Sequence, residues 1–129
     1  MTISGFDHVS LPLRDAHGVA AFYRALGCDV DETEHLVVVH LGDQMVNFHR
    51  EEMWTRADFT LRAPAAVPPC GDLCLRWEGT ADELAALLDA VGVAIEEGPV
   101  PRRGARGVDA TSVYVRDPDG NLIEFMRYP

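Results

Sequence analysis

The chain has 129 residues, and its composition, 47% hydrophobic and 25% charged, is typical of one globular domain with a core of its own. A formal net charge of −10 argues against nucleic acid as a partner, because an acidic surface repels phosphate backbones. No apolar run approaches the roughly 20 residues of a membrane span, and no signal peptide opens the chain, so we expect a cytoplasmic protein without membrane contact.

The first half predicts a strand, a helix and three more strands. Apolar residues alternate along residues 6–13, which is typical of a strand. Asp15 is then placed to cap a helix, and apolar residues spaced i, i+3, i+4 and i+7 continue to Gly27, where a left-handed cap belongs. Three short strands follow, at Cys28–Glu32, Leu36–His40 and Met45–His49.

The same order of patterns returns from residue 71. Asp72–Trp77 alternates, and Thr80 with Glu83 forms the capping box that starts a second helix. The helical positions of the two halves correspond along their whole length, as Val19 with Leu84, Phe22 with Leu87, Tyr23 with Leu88, Leu26 with Val91 and Gly27 with Gly92. The chain is therefore predicted to be a duplicated βαβββ module of the α+β class, with eight strands and two main helices.

Two stretches lie outside the repeated pattern. We assign module one to residues 1–50, an irregular linker to residues 51–70 and module two to residues 71–129, all within a single domain. The segment 98–108 is rich in Gly, Pro and Arg and is predicted to be a long insertion without regular structure. Its arginines, Arg102, Arg103 and Arg106, favour a solvated loop that balances local acids, with a lid that meets an anionic ligand as the alternative.

The end of the chain predicts a β-hairpin over residues 112–128. Its turn is Asp117-Pro118-Asp119-Gly120, in which proline presets φ, the aspartates bond the local backbone and glycine takes the positive-φ position. Both faces of the second strand are largely apolar, so we expect this strand to be central and covered. Glu124 would then be a carboxylate among apolar neighbours, which requires a cation, a metal ion or a proton.

Superposing the repeats supplies candidate partners for that carboxylate. His8 coincides with Asp72 on the opening strands, and Asn47 coincides with Glu124 on the closing strands. An imidazole, two carboxylates and an amide suit a divalent metal ion with nitrogen and oxygen ligands. The alternatives are that Glu124 pairs with Arg76 or another internal arginine, that His8 forms hydrogen bonds within its sheet and that Asp72 only precedes a strand. The other residues on this face are Ser10, Met45, His49, Cys74, Arg76, Leu122 and Met126.

These patterns resemble the vicinal-oxygen-chelate superfamily, which includes glyoxalase I, extradiol dioxygenases and fosfomycin- and bleomycin-resistance proteins. The matching stretches are DHVSLPLRD with AFYRALG in the first half and RDPDGNLIEF near the end. GDQMVNFH, GDLCL and AIEEGPVPRRGARG are similar to the virulence-associated glyoxalase-like subgroup, which includes glyoxalase-domain-containing protein 5. The resemblance implies paired βαβββ modules in a cup-shaped, eight-stranded mixed sheet, a homodimer and a metal in the cup.

Position by position, the resemblance implies His8 and Glu124 as metal ligands. The ligand on the second opening strand is commonly histidine and is Asp72 here, while Asn47 stands where the first closing strand often has glutamate. His49, two residues on and on the same face, could substitute for Asn47. These departures leave open whether the metal is Mn, Fe, Ni or Zn. One histidine with two carboxylates also differs from the two-histidine iron triad, which disfavours a dioxygenase.

The resemblance therefore predicts a metal-dependent glyoxalase-like enzyme, of the lyase, isomerase or dioxygenase type, acting on a small molecule with vicinal oxygens. Glu124 and His49 are the candidates for moving protons. The residues expected to line the substrate are Asn47, Cys74, Arg76 and Met126. One alternative is a metal-free protein of the bleomycin-resistance type that sequesters its ligand. A degenerate module that only dimerises is a third.

Overall fold

The computed structural model describes Met1–Pro129, which form two compact units, Met1–Cys70 and Gly71–Pro129. Each unit is a βαβββ module with its own four-stranded mixed sheet. The predicted α+β class, the duplication, all eight strands and both main helices are therefore confirmed, with the strands divided between two sheets. None of the helices combines the length and the apolar character that crossing a membrane requires.

In the first unit the strands lie in the order β1-β4-β3-β2. The opening strand β1 pairs parallel with the closing strand β4, and the other pairs are antiparallel. The elements are β1 (His8–Pro12), α1 (Ala16–Ala25), β2 (Val30–Glu32), β3 (Leu36–Leu41), β4 (Gln44–His49) and α2 (Glu51–Trp54).

The second unit repeats this topology in the order β5-β8-β7-β6. Strands β5 and β8 are parallel, and β8 lies between β5 and β7, as predicted for the last strand. The elements are β5 (Asp72–Arg76), α3 (Ala81–Val91), β6 (Glu97–Arg103), β7 (Asp109–Arg116) and β8 (Leu122–Arg127).

The ends of both main helices follow from local sequence. The Asp15 side chain accepts a hydrogen bond from the Gly18 amide, and Thr80 forms a full capping box with Glu83. Both helices end at a glycine in the left-handed region, with φ of 93° at Gly27 and 81° at its counterpart in α3. All these predicted caps are confirmed.

Each helix covers one apolar face of its own unit. In the first unit, Val19 and Tyr23 of α1 are buried, and the Tyr23 ring lies 5.7 Å from that of Phe48 on β4. In the second unit, the buried residues are Leu84, Leu88, Val113, Val115, Ile123 and Phe125. Because strand side chains alternate, the residues between these core positions occupy the opposite face of each sheet.

Two predictions of irregular structure were wrong in part. The stretch predicted as a structureless insertion begins with strand β6, which pairs with β7 from Val100 to Arg103, so only residues 104–108 form a loop. Prolines did not prevent this strand, because β6 is at the sheet edge, where a missing amide donor is tolerated. The predicted irregular linker also starts with the short helix α2, whose Trp54 indole donates a 2.8 Å hydrogen bond to the Leu13 carbonyl.

The turn between β7 and β8 is organised by two buried polar side chains, Asp117 and Asn121, which are 4% and 1% exposed. The Asp117 carboxylate accepts hydrogen bonds from the amides of Asp119, Gly120 and Asn121, and from the Asn121 side chain. The Asn121 side-chain oxygen accepts a 2.8 Å bond from the Gly71 amide. The predicted turn is confirmed, and it also joins the hairpin to the start of β5.

Removing this carboxylate should destabilise the protein. Asp117→Ala leaves several donors in a buried turn without an acceptor, so we expect a loss of about 2–4 kcal/mol in the free energy of unfolding. Urea denaturation followed by circular dichroism measures it. Asp43→Ala is the matched control, because Asp43 is an exposed residue in the hairpin turn of the other unit. Equal unfolding midpoints for the two variants would contradict this account of the turn.

Candidate functional site

The two units place their predicted site residues at the same points of the parallel strand pair. In the first unit His8 is opposite Met45, so Asn47 lies two residues further along β4. In the second unit Asp72 is opposite Leu122, so Glu124 lies two residues further along β8. The registers therefore give His8 and Asp72 equivalent positions, and Asn47 and Glu124 likewise.

In the second unit, a thiol lies beside the Glu124 carboxylate. Cys74 is directly opposite Glu124 across the parallel pair. Desolvation, and then the charge and hydrogen bond of Glu124 and the charge of Asp72, raise the pKa of the Cys74 thiol to about 12. The thiol therefore stays protonated at neutral pH and donates its hydrogen bond to Glu124. Asp72, on the same face of the sheet, is exposed, and Glu124 is half-buried rather than enclosed as the sequence suggested.

Glu124 forms no ion pair with an arginine, although the positive charge of Arg102 is near enough to interact with it. Arg76, the partner considered from the sequence, forms an ion pair with Glu78 at 2.8 Å. Together with Cys74 and Met126, Arg76 instead lines a cavity of about 410 Å³ that also contains Glu124. Three of the four residues predicted to line the substrate therefore share a cavity with this carboxylate, which remains available to a cation.

In the first unit, the His8 ring is exposed and held by a carboxylate. Its Nδ1 lies 2.7 Å from Oδ1 of Asp7. A carboxylate on one ring nitrogen fixes the orientation of a ligating histidine and leaves the other nitrogen free. With the proton on Nδ1, the His8 Nε2 atom is available to a ligand.

Asn47 contributes a buried acceptor to the same face of the first sheet. It is half-buried on β4, and its Oδ1 atom is shielded from solvent with no hydrogen-bond partner in the protein. A buried amide oxygen without a donor carries a desolvation cost. A ligand that donates a hydrogen bond to Asn47 would remove that cost.

His49 occupies a small apolar recess at the end of β4. The recess has a volume of about 80 Å³ and includes Trp54, Phe59 and Arg62, with the Phe59 ring 5.2 Å from the imidazole. The His49 Nδ1 atom is buried without a hydrogen-bond partner. Burial, and then the positive charge of Arg62, lower the pKa of His49 below its ordinary value. The imidazole is therefore neutral at pH 7 and can accept a proton.

The donor atoms in the two units suit a divalent metal ion by their chemistry. Asp72 and Glu124 offer carboxylate oxygens on one sheet face, and His8 offers an oriented imidazole nitrogen. The structure does not gather three His, Cys, Asp or Glu side chains into a group that could hold a metal ion.

Sequence reasoning missed several residues near the predicted ones. Arg103 and Arg106, which the sequence favoured as parts of a solvated loop, line the cavity that contains Glu124, together with Tyr128. Phe59 and Arg62, assigned to an irregular linker, form part of the His49 recess. Tyr128, the aromatic residue at the end of the predicted hairpin, was the one sequence signal for the contact with the loop of Arg106.

Comparison of the sequence with family models matches residues 5–125 to the glyoxalase/bleomycin resistance protein/dioxygenase superfamily. The chain is 35% identical to virulence protein STM3117 of Salmonella typhimurium over 130 residues, covering 99% of this chain and 87% of that protein. It is 31% identical to glyoxalase domain-containing protein RDO1 of Mycosarcoma maydis over 129 residues, covering 99% of this chain and 70% of the relative.

Two solved structures are similar to this one over nearly the whole chain. The crystal structure of STM3117 superposes with a TM-score of 0.87 at 34% identity, with full coverage of both chains. Lactoylglutathione lyase from Agrobacterium tumefaciens superposes with a TM-score of 0.74 at 26% identity, covering 98% of this chain and 95% of the lyase. The similarity therefore covers the residues of both units.

The environment of His49 predicts a measurable titration. We expect its imidazole to titrate below the ordinary histidine value of 6.5 in NMR spectra recorded from pH 4.5 to 8.5. Arg62→Ala should raise the His49 pKa, because a positive neighbour disfavours the imidazolium. The midpoint should stay below 6.5, because burial is the larger cause.

Arg56→Ala serves as the matched control for the His49 titration. Arg56 is an arginine of the same segment that pairs with Asp58 at 2.9 Å, and its removal should leave the His49 midpoint unchanged. A His49 midpoint at or above 6.5 in the unmodified protein, or equal midpoints in the two variants, would contradict the assignment.

Proposed function

Because the chain belongs to the glyoxalase/bleomycin resistance protein/dioxygenase superfamily, we propose that it is a metal-dependent, glyoxalase-like enzyme. Its substrate in this proposal is a small molecule with two vicinal oxygens. The observation that carries the proposal is the placement of Glu124: a half-buried carboxylate that forms no ion pair, on the same sheet face as Asp72. A protein that only encloses an apolar ligand has no need of this arrangement.

In this proposal His8, Asp72 and Glu124 hold one divalent metal ion. The Asp7 carboxylate supports the role of His8, because it fixes the orientation of the ring and leaves Nε2 free for a ligand. The neutral Cys74 thiol donates a hydrogen bond to Glu124 and so orients that carboxylate. When bound, the metal ion supplies Lewis-acid polarisation of the two substrate oxygens.

The chain's own residues provide the proton transfer and the positioning. His49, neutral because of its lowered pKa, accepts a proton from the carbon beside the substrate carbonyl, and Glu124 is the second candidate for this step. The Asn47 amide oxygen, which lacks a partner in the protein, accepts a hydrogen bond from a substrate hydroxyl. Cys74, Arg76 and Met126 form the substrate wall.

Two relatives support one class of reaction for this proposal. Similarity to a lactoylglutathione lyase at 26% identity and to a protein named for its glyoxalase domain supports the lyase or isomerase type over a dioxygenase. One histidine with two carboxylates points in the same direction, since iron oxygenases of this kind use two histidines. We further propose that the two units act as one domain and that the protein works as a cytoplasmic homodimer.

Metal analysis of the purified protein tests the proposal. After incubation with Mn, Fe(II), Ni or Zn and desalting, we expect about one metal ion per chain by elemental analysis, and a thermal midpoint that rises with metal concentration. His8→Ala and Glu124→Ala each remove a ligand, so both should lose metal affinity by about 100-fold or more, given that changes even in the surrounding shell cost 10- to 100-fold.

Two matched variants control this measurement. His17→Ala removes an exposed histidine on α1, and Glu52→Ala removes an exposed glutamate on α2, and both should bind metal like the unmodified protein. A well-folded protein that remains empty with all four metals would contradict the proposed enzyme. Equal metal content in His8→Ala and His17→Ala would remove His8 from the site.

A further inference from the structure

The cavity that contains Glu124 concentrates positive charge in an acidic chain. The chain has 21 acidic and 11 basic residues, and every basic one is arginine. Three of these arginines, Arg76, Arg103 and Arg106, line the 410 Å³ cavity, against one carboxylate, Glu124. The volume is that of a small-molecule site. The proposed metal chemistry uses Glu124 and leaves this positive charge without a role.

The three arginines differ in how far other groups already neutralise them. Arg76 is paired with Glu78 at 2.8 Å. Arg103 lies 3.7 Å from Asp109, with both side chains mostly exposed, and such a pair contributes little. Arg106 has no carboxylate partner, and its guanidinium lies 4.6 Å from the centre of the Tyr128 ring. Arg106 therefore has the most hydrogen-bonding capacity left for a ligand.

The turn that carries Arg106 is fixed against the end of the last strand. The Gly107 amide donates to the Gly104 carbonyl at 2.9 Å, and the Arg106 amide donates to the Tyr128 hydroxyl at 3.3 Å. A Cβ at Gly104 would meet the Tyr128 hydroxyl and the Met126 sulfur, so a side chain there would displace these groups. The turn is thus held before any ligand arrives, which lowers the entropy lost on binding.

We propose that the turn from Arg103 to Arg106 forms an oxyanion subsite that binds the carboxylate or phosphate group of a small organic molecule. A guanidinium presents two parallel N–H donors that match the geometry of such a group. Glu124 repels the same group, so the uncharged end of the molecule lies against Glu124 and Cys74. The identification of this molecule with the substrate rests on the function proposed above, whereas the subsite itself does not.

Binding of simple anions to the metal-free protein tests the subsite. L-Lactate and propane-1,2-diol share a three-carbon skeleton with two vicinal oxygens and differ in the carboxylate, and inorganic phosphate is the third probe. We expect lactate or phosphate to shift the arginine Nε–H NMR signals of Arg103 and Arg106 in a saturable way, and the diol to leave them in place. The tighter of the two anions identifies the group that the subsite prefers.

Variants separate a built subsite from general attraction to positive charge. Arg106→Ala should weaken anion binding about tenfold or more, as expected for loss of charge-assisted hydrogen bonds. Arg103→Ala should weaken anion binding less, because Asp109 already neutralises part of the Arg103 charge. Arg106→Lys should restore only part of the affinity, since lysine keeps the charge without the paired donors. Gly104→Ala should also weaken binding, by displacing the turn with every arginine retained.

Arg116→Ala is the matched control, because Arg116 belongs to the same unit and pairs with Glu96 at 3.2 Å outside the cavity. Its anion affinity should equal that of the unmodified protein. Equal affinities for lactate and the diol, absence of saturable arginine shifts with both anions, or equal affinities in Arg106→Ala and Arg116→Ala would each overturn the subsite.

Metal content measured on the same preparations keeps the two proposals apart. Saturable anion binding in a protein that takes up no metal supports the subsite and removes the proposed enzyme function. Metal uptake without selective anion binding removes the subsite alone. Arg106→Ala should retain its metal, because Arg106 is not one of the proposed ligands.

Discussion

The hydrogen bonds that Gly71 forms with Asn121 and Leu122 set the register on which the second unit depends. The Asn121 side chain accepts from the Gly71 amide, and the Leu122 amide donates to the Gly71 carbonyl at 3.0 Å, so β8 is joined to the start of β5 by a pair of bonds. A slip of one residue would turn Glu124 to the face that α3 covers and bring Ile123 to the open face. Asp117 holds Asn121 in place, which explains why two polar side chains are buried there.

The two units share the same strand registers but carry different side chains at the equivalent positions. Both units keep a parallel pair of opening and closing strands with equivalent registers, although the hairpin of the first unit turns through Gly42 and Asp43 without a buried carboxylate. The equivalent positions then hold an imidazole and an amide in one unit and two carboxylates in the other. The two units therefore share one topology and differ in the donor atoms that they present at equivalent positions.

Local signals explain what could be predicted from the sequence. The caps at Asp15 and Thr80 and the apolar spacing of both helices were correct, because each depends on residues within one or two turns. The bounds of strand β6 were not predicted, because its prolines are typical of loops and only its place at the sheet edge makes them acceptable. Helix α2 has four residues, too few to show a helical period.

The candidate site was predictable where it follows strand alternation. The facing positions of His8, Asp72, Asn47 and Glu124 came from the repeat, and the registers agree with them. The contacts of Arg106 with Tyr128 and of His49 with Phe59 were not predictable, because each joins residues distant in sequence through loop geometry. Glu124 is less buried than its apolar neighbours suggested, since alternation gives the face of a residue and not the depth at which it is covered.

The excess of acidic residues in the chain determines where an anionic ligand could bind. At physiological ionic strength charges are screened over about 8 Å, so remote carboxylates contribute little at the cavity, and the nearest charges decide the local potential. Those nearest charges include the exposed arginines Arg103 and Arg106, which line the cavity with Tyr128 and Met126. The remaining surface still repels anions, so weak binding elsewhere is suppressed and the arginine turn becomes the favoured place for one. A net charge of −10 therefore sharpens the discrimination of this subsite and does not prevent its use.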